Sequence, residues 1–386
     1  MIDKLKNMDK KMLIMLGFLV FIIFIIVIIM IIMSMSGSGK MTYQRAEKEM
    51  VSAAKRYYKD NKSSLPQNEG EEAKVDTDTL ISNDYLVDFS GDLGEDCSGT
   101  VLVGKTKNDY DYVADLTCGD KYSTNFLYRK LLENVVSSGN GLYKVEDLIT
   151  TDNNLTFDES GYDLSKNELM SGYIFRGNDV NNYISFGTKT LYRIVKIDGN
   201  NDIMVIPVRN NLTSYFDNSF NTETNQRDGI NDYSMSKAKK ALDDFYNGLE
   251  SENILRVKSV PKHICIGTRS EDDTTRDGSS ECSKVLAGQY YSLIPVYDYM
   301  NASLDTECVE PLNPSCTNYN YMTVNSSSFW TMTASSDDSY SAFLITGKPK
   351  LEKVSRSAKL NYAIYLTNRL LYVSGTGTQK DPFVVK

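Results

Sequence analysis

The chain has 386 residues, with 42 Lys or Arg against 51 Asp or Glu, and a formal net charge of −9 at pH 7. This acidity argues against nucleic acid as a partner, because no basic stripe is available to displace counterions from a phosphate backbone. The length exceeds what one ordinary core serves, so we expect two domains beyond the first forty residues.

Residues 12–33 form an apolar run without a charge or a proline. As a helix, such a run is about 33 Å long, enough to cross the hydrocarbon core of a bilayer. Four lysines and two aspartates precede it, which predicts that residues 1–11 are a cytoplasmic tail. The run therefore predicts a single-pass protein of the cell membrane, with the lipid bilayer as its partner and the C-terminal domains extracellular.

A cleaved signal peptide is the competing interpretation of this run. Signal peptides have a shorter apolar region of about 7–15 residues and end at a small-x-small cleavage site. The run is too long for this, and residues 33–36 (Met-Ser-Met-Ser) match that site poorly. We expect an uncleaved anchor.

Six cysteines lie beyond the apolar run, and an even number there indicates disulfides. Six cysteines allow 15 connectivities, and we choose the local one. The predicted bridges are Cys97–Cys118, Cys265–Cys282 and Cys308–Cys316. There is no C-x-x-C and only one histidine, His263, so the sequence predicts no metal site.

The next segment, residues 41–61, has the periodicity of an amphipathic helix, with Ala46, Met50, Ala53 and Ala54 on one face. Two alternating segments, residues 100–104 and 110–118, then predict a hairpin closed by the first disulfide. A helix followed by a stapled hairpin makes one compact unit, which we place at residues 41–136.

This first unit resembles type IV pilins and pseudopilins, in which one long helix packs on a small antiparallel sheet. The motifs that carry the resemblance are Ala53-Ala54-Lys55-Arg56-Tyr57-Tyr58, Leu65-Pro66, Asp84-Tyr85-Leu86, Cys97-Ser98-Gly99-Thr100-Val101 and Leu116-Thr117-Cys118-Gly119. The resemblance covers about residues 10–125 and implies a pilin-like stalk module.

The alternative that this resemblance implies is a structural pilin or pseudopilin subunit of a filament. Gly17-Phe18 could mimic a prepilin junction, but five apolar residues separate it from Lys11. Ile22 stands where the family has Glu, which weighs against filament assembly and favours a fixed stalk.

Residues 137–166 are acidic and Asn-rich and predict a linker. Beyond them, short apolar segments separated by Gly, Ser and Asn predict an irregular α+β domain at residues 167–386. Its first clear hairpin joins segments 191–197 and 203–206 through Asp198-Gly199-Asn200-Asn201.

This second domain resembles a bacterial exported domain related to the formylglycine-generating branch of the C-type-lectin-like fold. The motifs are Tyr183-Ile184-Ser185-Phe186, Tyr192-Arg193-Ile194, Phe245-Tyr246-Asn247, Phe329-Trp330-Thr331, Ser374-Gly375-Thr376-Gly377 and Asp381-Pro382-Phe383. The whole chain is then α+β: a transmembrane helix, a pilin-like helix on a small sheet, and a C-type-lectin-like domain.

The chemistry of that fold is not evident in these residues. Formylglycine-generating enzymes use a reactive cysteine pair, and here every cysteine has a structural partner in the predicted pairing. Sugar-binding lectins use a Glu-Pro-Asn triplet, which Glu310-Pro311-Leu312-Asn313 interrupts. His263 lies beside a predicted bridge, and no catalytic motif is present. The sequence predicts no enzyme and no cofactor.

Tyrosine is abundant, with 26 residues against one Trp. Several tyrosines lie in the loop-rich stretch around the predicted bridges Cys265–Cys282 and Cys308–Cys316. Rigid amphipathic rings suit recognition surfaces, although the same residues can form the core of the domain. The candidate ligand-binding residues are Tyr290, Tyr291, Tyr297, Tyr319, Tyr321 and Trp330. We therefore expect a cell-surface recognition or adhesion domain with a host, cell-wall or pilus-protein ligand.

Overall fold

The computed structural model describes residues 41–386 except 95, 149–156, 159–160, 163–169, 276–277, 306, 309–310, 312, 314, 318–319 and 324–327. Strands dominate this part of the chain, and most helices are short. The helices are α1 (Tyr43–Asp60), α2 (Thr77–Ser82), α3 (Ser90–Leu93), α4 (Leu127–Leu132), α5 (Lys237–Asn247), α6 (Ile254–Lys258) and α7 (Val296–Asn301).

The described residues form 23 strands. The first eleven are β1 (Glu72–Asp76), β2 (Cys97–Lys105), β3 (Tyr110–Cys118), β4 (Tyr122–Ser123), β5 (Gly141–Leu148), β6 (Phe157–Asp158), β7 (Gly161–Tyr162), β8 (Met170–Arg176), β9 (Tyr183–Ser185), β10 (Tyr192–Ile197) and β11 (Ile203–Pro207). The others are β12 (Thr213–Tyr215), β13 (Lys262–Cys265), β14 (Thr268–Arg269), β15 (Val285–Gln289), β16 (Tyr291–Leu293), β17 (Phe329–Ser335), β18 (Ser341–Ile345), β19 (Pro349–Lys353), β20 (Ser357–Lys359), β21 (Tyr362–Leu366), β22 (Tyr372–Ser374) and β23 (Phe383–Val385).

The predicted fold class, α+β with an N-terminal transmembrane helix, is wrong: the structure is rich in strands and has few helices. Between residues 41 and 386, as far as they are described, no helix combines the length and apolar character needed to cross a bilayer. The longest, α1, has 18 residues and carries charges along its exposed faces. The predicted single-pass membrane localisation is corrected on the same finding. The run at residues 12–33 and the tail at residues 1–11 lie outside the described residues.

The chain divides into two compact units. Within its described part, the first comprises residues 41–57, 76–100 and 114–123, and the second comprises residues 58–75, 101–113 and 124–386. The structure thus groups residues 124–136, which we had placed with the stalk module, with the C-terminal domain. Residues 141–148 of the predicted linker form β5, which pairs with β8.

In the first unit, most of α1 packs through the apolar face that the sequence predicted. Ala46, Met50, Ala53 and Ala54 are fully buried. A Cβ at Gly99 on β2 would lie only 2.5 Å from the terminal methyl of Met50, so glycine lets helix and strand approach closely. The shorter α2 begins at Thr77 because Asp76 accepts a hydrogen bond from the backbone N–H of Thr79 at 2.6 Å.

A four-stranded sheet has the order β1-β2-β3-β4, which confirms the predicted hairpin of β2 and β3. The second unit holds two larger sheets. One has nine strands. Seven follow the path β16-β21-β11-β10-β9-β23-β22, β8 pairs with β10, and β5 pairs with β8. The other has six strands, β12-β20-β17-β18-β19, with β14 beside β17.

The centres of these sheets are buried, which explains the apolar runs of the sequence. Every residue of β10, β11, β17, β18 and β21 is buried. The predicted turn between β10 and β11 forms, with Asn201 at a φ of 63°, a conformation that asparagine tolerates. Helix α5 is capped by Ser236, whose hydroxyl accepts from the backbone N–H of Lys239 at 3.0 Å.

All three predicted disulfide pairings are confirmed. The bridges join Cys97 to Cys118, Cys265 to Cys282 and Cys308 to Cys316. No cysteine is free. Each bridge closes a short stretch of chain, which is why pairing by proximity in sequence identified them.

Candidate functional site

A pocket of about 260 Å³ in the second unit gathers several cationic side chains. We call it the cationic pocket and define it by six of its lining residues: Arg193, Arg209, Asn210, Tyr321, Lys359 and Asn361. Apolar residues, including Phe329, complete the walls. Two arginines, one lysine and two asparagines thus line this cavity together with apolar residues.

Both large sheets contribute to this pocket. Arg193 lies on β10, and Arg209 and Asn210 lie just beyond the end of β11 at Pro207. Lys359 ends β20, where it pairs with Phe329 of β17. The turn at Tyr321–Thr323 supplies Tyr321. The site therefore depends on how the two sheets of this unit are placed, and not on any local motif.

Arg193 is the buried arginine among the residues that line the cationic pocket, with 7% of its surface exposed. Its Nε donates to Asn182 Oδ1 at 2.7 Å, Nη1 to the hydroxyl of Tyr183 at 3.0 Å, and Nη2 to the carbonyl of Val180 at 3.3 Å. These bonds use three of the five guanidinium N–H donors. Burial lowers the pKa of Arg193, yet arginine stays charged at any physiological pH.

The guanidinium of Arg193 is also held between aromatic rings. It lies 4.2 Å from the ring centroid of Tyr183 and 4.7 Å from that of Tyr321, within the range of cation–π attraction. The hydroxyl of Tyr321 is buried and has no hydrogen-bond partner among the described residues. A buried hydroxyl without a partner is unusual and favours a site where a ligand or water supplies one.

The charge of the cationic pocket contrasts with that of the chain. Arg209 is exposed, and Lys359, Asn210 and Asn361 are half-buried, so these groups are accessible from solvent. Among the described residues that line the pocket, none is Asp or Glu. In a chain with a net charge of −9, this makes the pocket a local positive site.

The structure distributes the predicted ligand-binding residues differently from the prediction. Tyr291, Tyr297 and Trp330 are buried in the interior, with 3%, 4% and 0% exposure. Tyr290 stacks on the ring of Tyr246 at 4.5 Å. Tyr319 lies outside the described residues. Of the five predicted residues that the structure describes, Tyr321 alone lines the cationic pocket.

The cations of the pocket were missed because nothing near them in the sequence marks them. In the sequence, Arg193 is notable only as part of the motif Tyr192-Arg193-Ile194. Arg209 and Lys359 are separated by 150 residues along the chain. Arg193 lies with Lys196 in a strand whose other residues are Tyr, Ile and Val, and cations in such an apolar segment are a signal that could have found the site.

Two other sets of side chains that could bind a metal ion, the Asp305, Cys308 and Cys316 cluster and His263, have structural roles. Asp305, Cys308 and Cys316 have ligand atoms within 4.8 Å of one another. The two sulfurs are bonded to each other and offer no thiolate to a metal ion. His263 accepts a hydrogen bond on Nδ1 from the backbone N–H of Gly288 at 3.3 Å, so it helps to hold β13 beside β15.

Comparison with known proteins does not extend these findings: no family model, no curated protein and no solved structure matches this chain.

Proposed function

We propose that the second unit is a non-catalytic recognition module that binds a small anionic ligand in the cationic pocket. The observation that carries this proposal is the set of three cations around a cavity with no described carboxylate, in an acidic chain. Burial of Arg193 strengthens its attraction for an anion because water screens it poorly there.

The pocket chemistry defines the class of ligand. A carboxylate, sulfate or phosphate group would accept from the remaining N–H donors of Arg193 and from Lys359. Asn210 and Asn361 can bond hydroxyl groups, and Tyr321 and Phe329 offer apolar faces. The volume of about 260 Å³ suits one acidic sugar better than a long peptide. We therefore propose an acidic sugar, as on a cell-wall polymer, as the ligand.

The expected result is that the full chain binds glucuronate and does not bind glucose, measured by isothermal titration at low ionic strength. Changing both Arg209 and Lys359 to Gln should weaken binding at least tenfold, because about 1.4 kcal/mol of lost attraction corresponds to a factor of ten. The matched control is Lys348→Gln, an exposed lysine outside the pocket, which should leave the affinity unchanged.

Equal binding of glucose and glucuronate would contradict the proposal, since recognition would then not depend on charge. An unchanged affinity in the Arg209/Lys359 double variant would show that the ligand does not bind in the cationic pocket. Repeating the titration with sulfate tests whether a compact anion is sufficient without the sugar ring.

An enzyme of the formylglycine-generating type is the alternative that the lectin-like resemblance offered. That chemistry needs a reactive thiol pair, and all six cysteines are in bridges. Nothing in the described residues favours the filament-subunit alternative over recognition.

A further inference from the structure

A buried cluster of one lysine and two aspartates, which shares no residue with the cationic pocket, joins β13 to the turn between β10 and β11. Lys262 is 2% exposed, Asp198 is 1% exposed, and Asp202 is 9% exposed. The Nζ of Lys262 lies 2.7 Å from Oδ2 of Asp198 and 2.7 Å from Oδ2 of Asp202. One amine is thus held between two carboxyl groups, mostly shielded from water.

The two contacts differ in geometry. Lys262 donates a regular hydrogen bond to Asp202. Toward Asp198 the distance is just as short, but the contact lacks hydrogen-bond geometry, and Oδ2 of Asp198 has no hydrogen-bond partner in the described structure. The amine therefore forms a close ion pair with Asp198 and a hydrogen-bonded pair with Asp202.

The other oxygen of Asp198 is held by the hairpin turn. Its Oδ1 accepts from the backbone N–H groups of Asn200 and Asp202, both at 2.9 Å. Two fixed N–H donors on one carboxyl oxygen are the arrangement that stabilises the oxyanion of a tetrahedral intermediate in acyl transfer. Asp202 is itself oriented, because its Oδ1 accepts from the backbone N–H of Asn368 at 2.7 Å.

We propose that Lys262 and Asp198 join through an intramolecular amide bond, formed by the folded chain itself with Asp202 as the acid–base group. Asp202 takes a proton from the ammonium, and Nζ attacks Cγ of Asp198. The N–C bond forms while negative charge collects on Oδ1. Asp202 returns this proton to Oδ2 and then transfers a second proton from the nitrogen to Oδ2, so that the C–O bond breaks and Oδ2 leaves as water. An ammonium and a carboxylate are thereby converted into a neutral amide and water.

The surroundings favour this condensation in two ways. Positioned reactants have effective molarities of about 10⁵–10⁸ M, which offsets the unfavourable joining of amine and acid in water. Burial also penalises both charges, and the neutral amide removes that cost. Burial raises the pKa of Asp198 to about 6 despite the opposing effect of Lys262, so its Oδ2 accepts a proton more readily than an ordinary carboxylate oxygen does.

The protonation of Lys262 sets the rate. Burial lowers its pKa, but Asp202 and Asp198 outweigh this and raise the pKa above the ordinary value. The neutral amine is therefore a minor species, and the reaction is a slow, single event that follows folding. It needs no oxidant, metal or cofactor.

A second buried pair in the same unit gives an internal comparison. Lys196 donates to both oxygens of Asp298, at 2.9 and 3.0 Å, and to the hydroxyl of Tyr297 at 3.2 Å. These are regular hydrogen bonds that hold the ammonium as a donor. We expect no amide bond between Lys196 and Asp298.

The test is the mass of the full chain after complete reduction of its disulfides. We expect a mass lower than that of the sequence by one water, and an undiminished mass would overturn the proposal. Trypsin should then release residues 197–209 joined to residues 259–269, with no cleavage after Lys262. Fragmentation should place the link on Asp198, and a link on Asp202 would contradict the assigned roles.

Two variants separate the roles of these residues in the folded protein. Lys262→Met should show the full mass calculated for its own sequence, without loss of water, because the amine is absent. Asp202→Asn should retain Lys262 and Asp198 but form the bond at least ten times more slowly than the original chain, measured by mass in samples taken at intervals after synthesis. An unchanged rate would remove Asp202 from the mechanism. Peptides ending at Lys196 should appear unlinked in every sample.

Discussion

Replacing Lys196 by Met is expected to lower the free energy of unfolding by about 3–5 kcal/mol, because it leaves Asp298 buried without its partner. Both side chains are only 1% exposed and are joined through both carboxyl oxygens. Urea denaturation of the variant and the original chain measures the difference. Changing Asp298 to Leu as well should recover part of the loss, since no unpaired charge then remains.

The loss should also depend on pH. Burial raises the pKa of Asp298, and Lys196 opposes that shift, so removing Lys196 leaves the carboxyl a still stronger base in the folded state. A carboxyl that binds its proton more tightly when folded stabilises the fold as pH falls. The loss in free energy of unfolding caused by Lys196→Met should therefore become smaller as the pH is lowered from 7.5 to 4.5. A loss that stays constant with pH would contradict this account.

An exposed ion pair provides the control for that experiment. Lys240 and Asp244 lie 2.7 Å apart on α5, with side chains 74% and 65% exposed. Water screens such a pair, so Lys240→Met should leave stability nearly unchanged. If both lysine variants lost the same stability, burial would not be the cause.

Trp330→Ala is expected to lower the free energy of unfolding by about 3–5 kcal/mol, because it opens a cavity in the core of the second unit. Trp330 is fully buried on β17 and packs edge-to-face on Phe216, with ring centroids 5.6 Å apart. Trp330→Phe should cost less, since Nε1 has no hydrogen-bond partner among the described residues and none is lost. Urea denaturation measures both variants.

This substitution also separates a core role from a ligand role for Trp330. The chain has one tryptophan, so its fluorescence reports the interior directly and should shift to longer wavelength on unfolding. Trp330→Phe should leave glucuronate binding intact while lowering stability. Loss of binding at unchanged stability would instead support the ligand role that the sequence suggested for this residue.

Features that depend on neighbouring residues were predicted from the sequence. The periodicity of residues 41–61 gave α1, and Asp198 to Asn201 gave the turn between β10 and β11. The three disulfides followed from proximity, because short loops close at little entropic cost. The pilin-like and lectin-like resemblances stay predictions.

The prediction missed strands that form only through partners distant in the chain. Residues 137–166 were assigned to a linker because they are polar and Asn-rich, yet part of them forms β5, whose ladder partner is β8. Strands of three residues, such as β12 and β20, carry no periodic signal of their own. Their hydrogen bonds come from partners distant in the chain, and tertiary packing overrides local propensity.

By itself, the sequence determined the acidic charge, the α1 helix, the hairpin turn and the cysteine pairs, since each depends on composition or on residues close in the chain. The tertiary structure alone decided which charges are buried and which surround a cavity. Lys196 and Asp298 are 102 residues apart, and Lys262 and Asp202 are 60 apart. Such pairs form only when separate strands are brought together, because burial and charge proximity are properties of the packed chain.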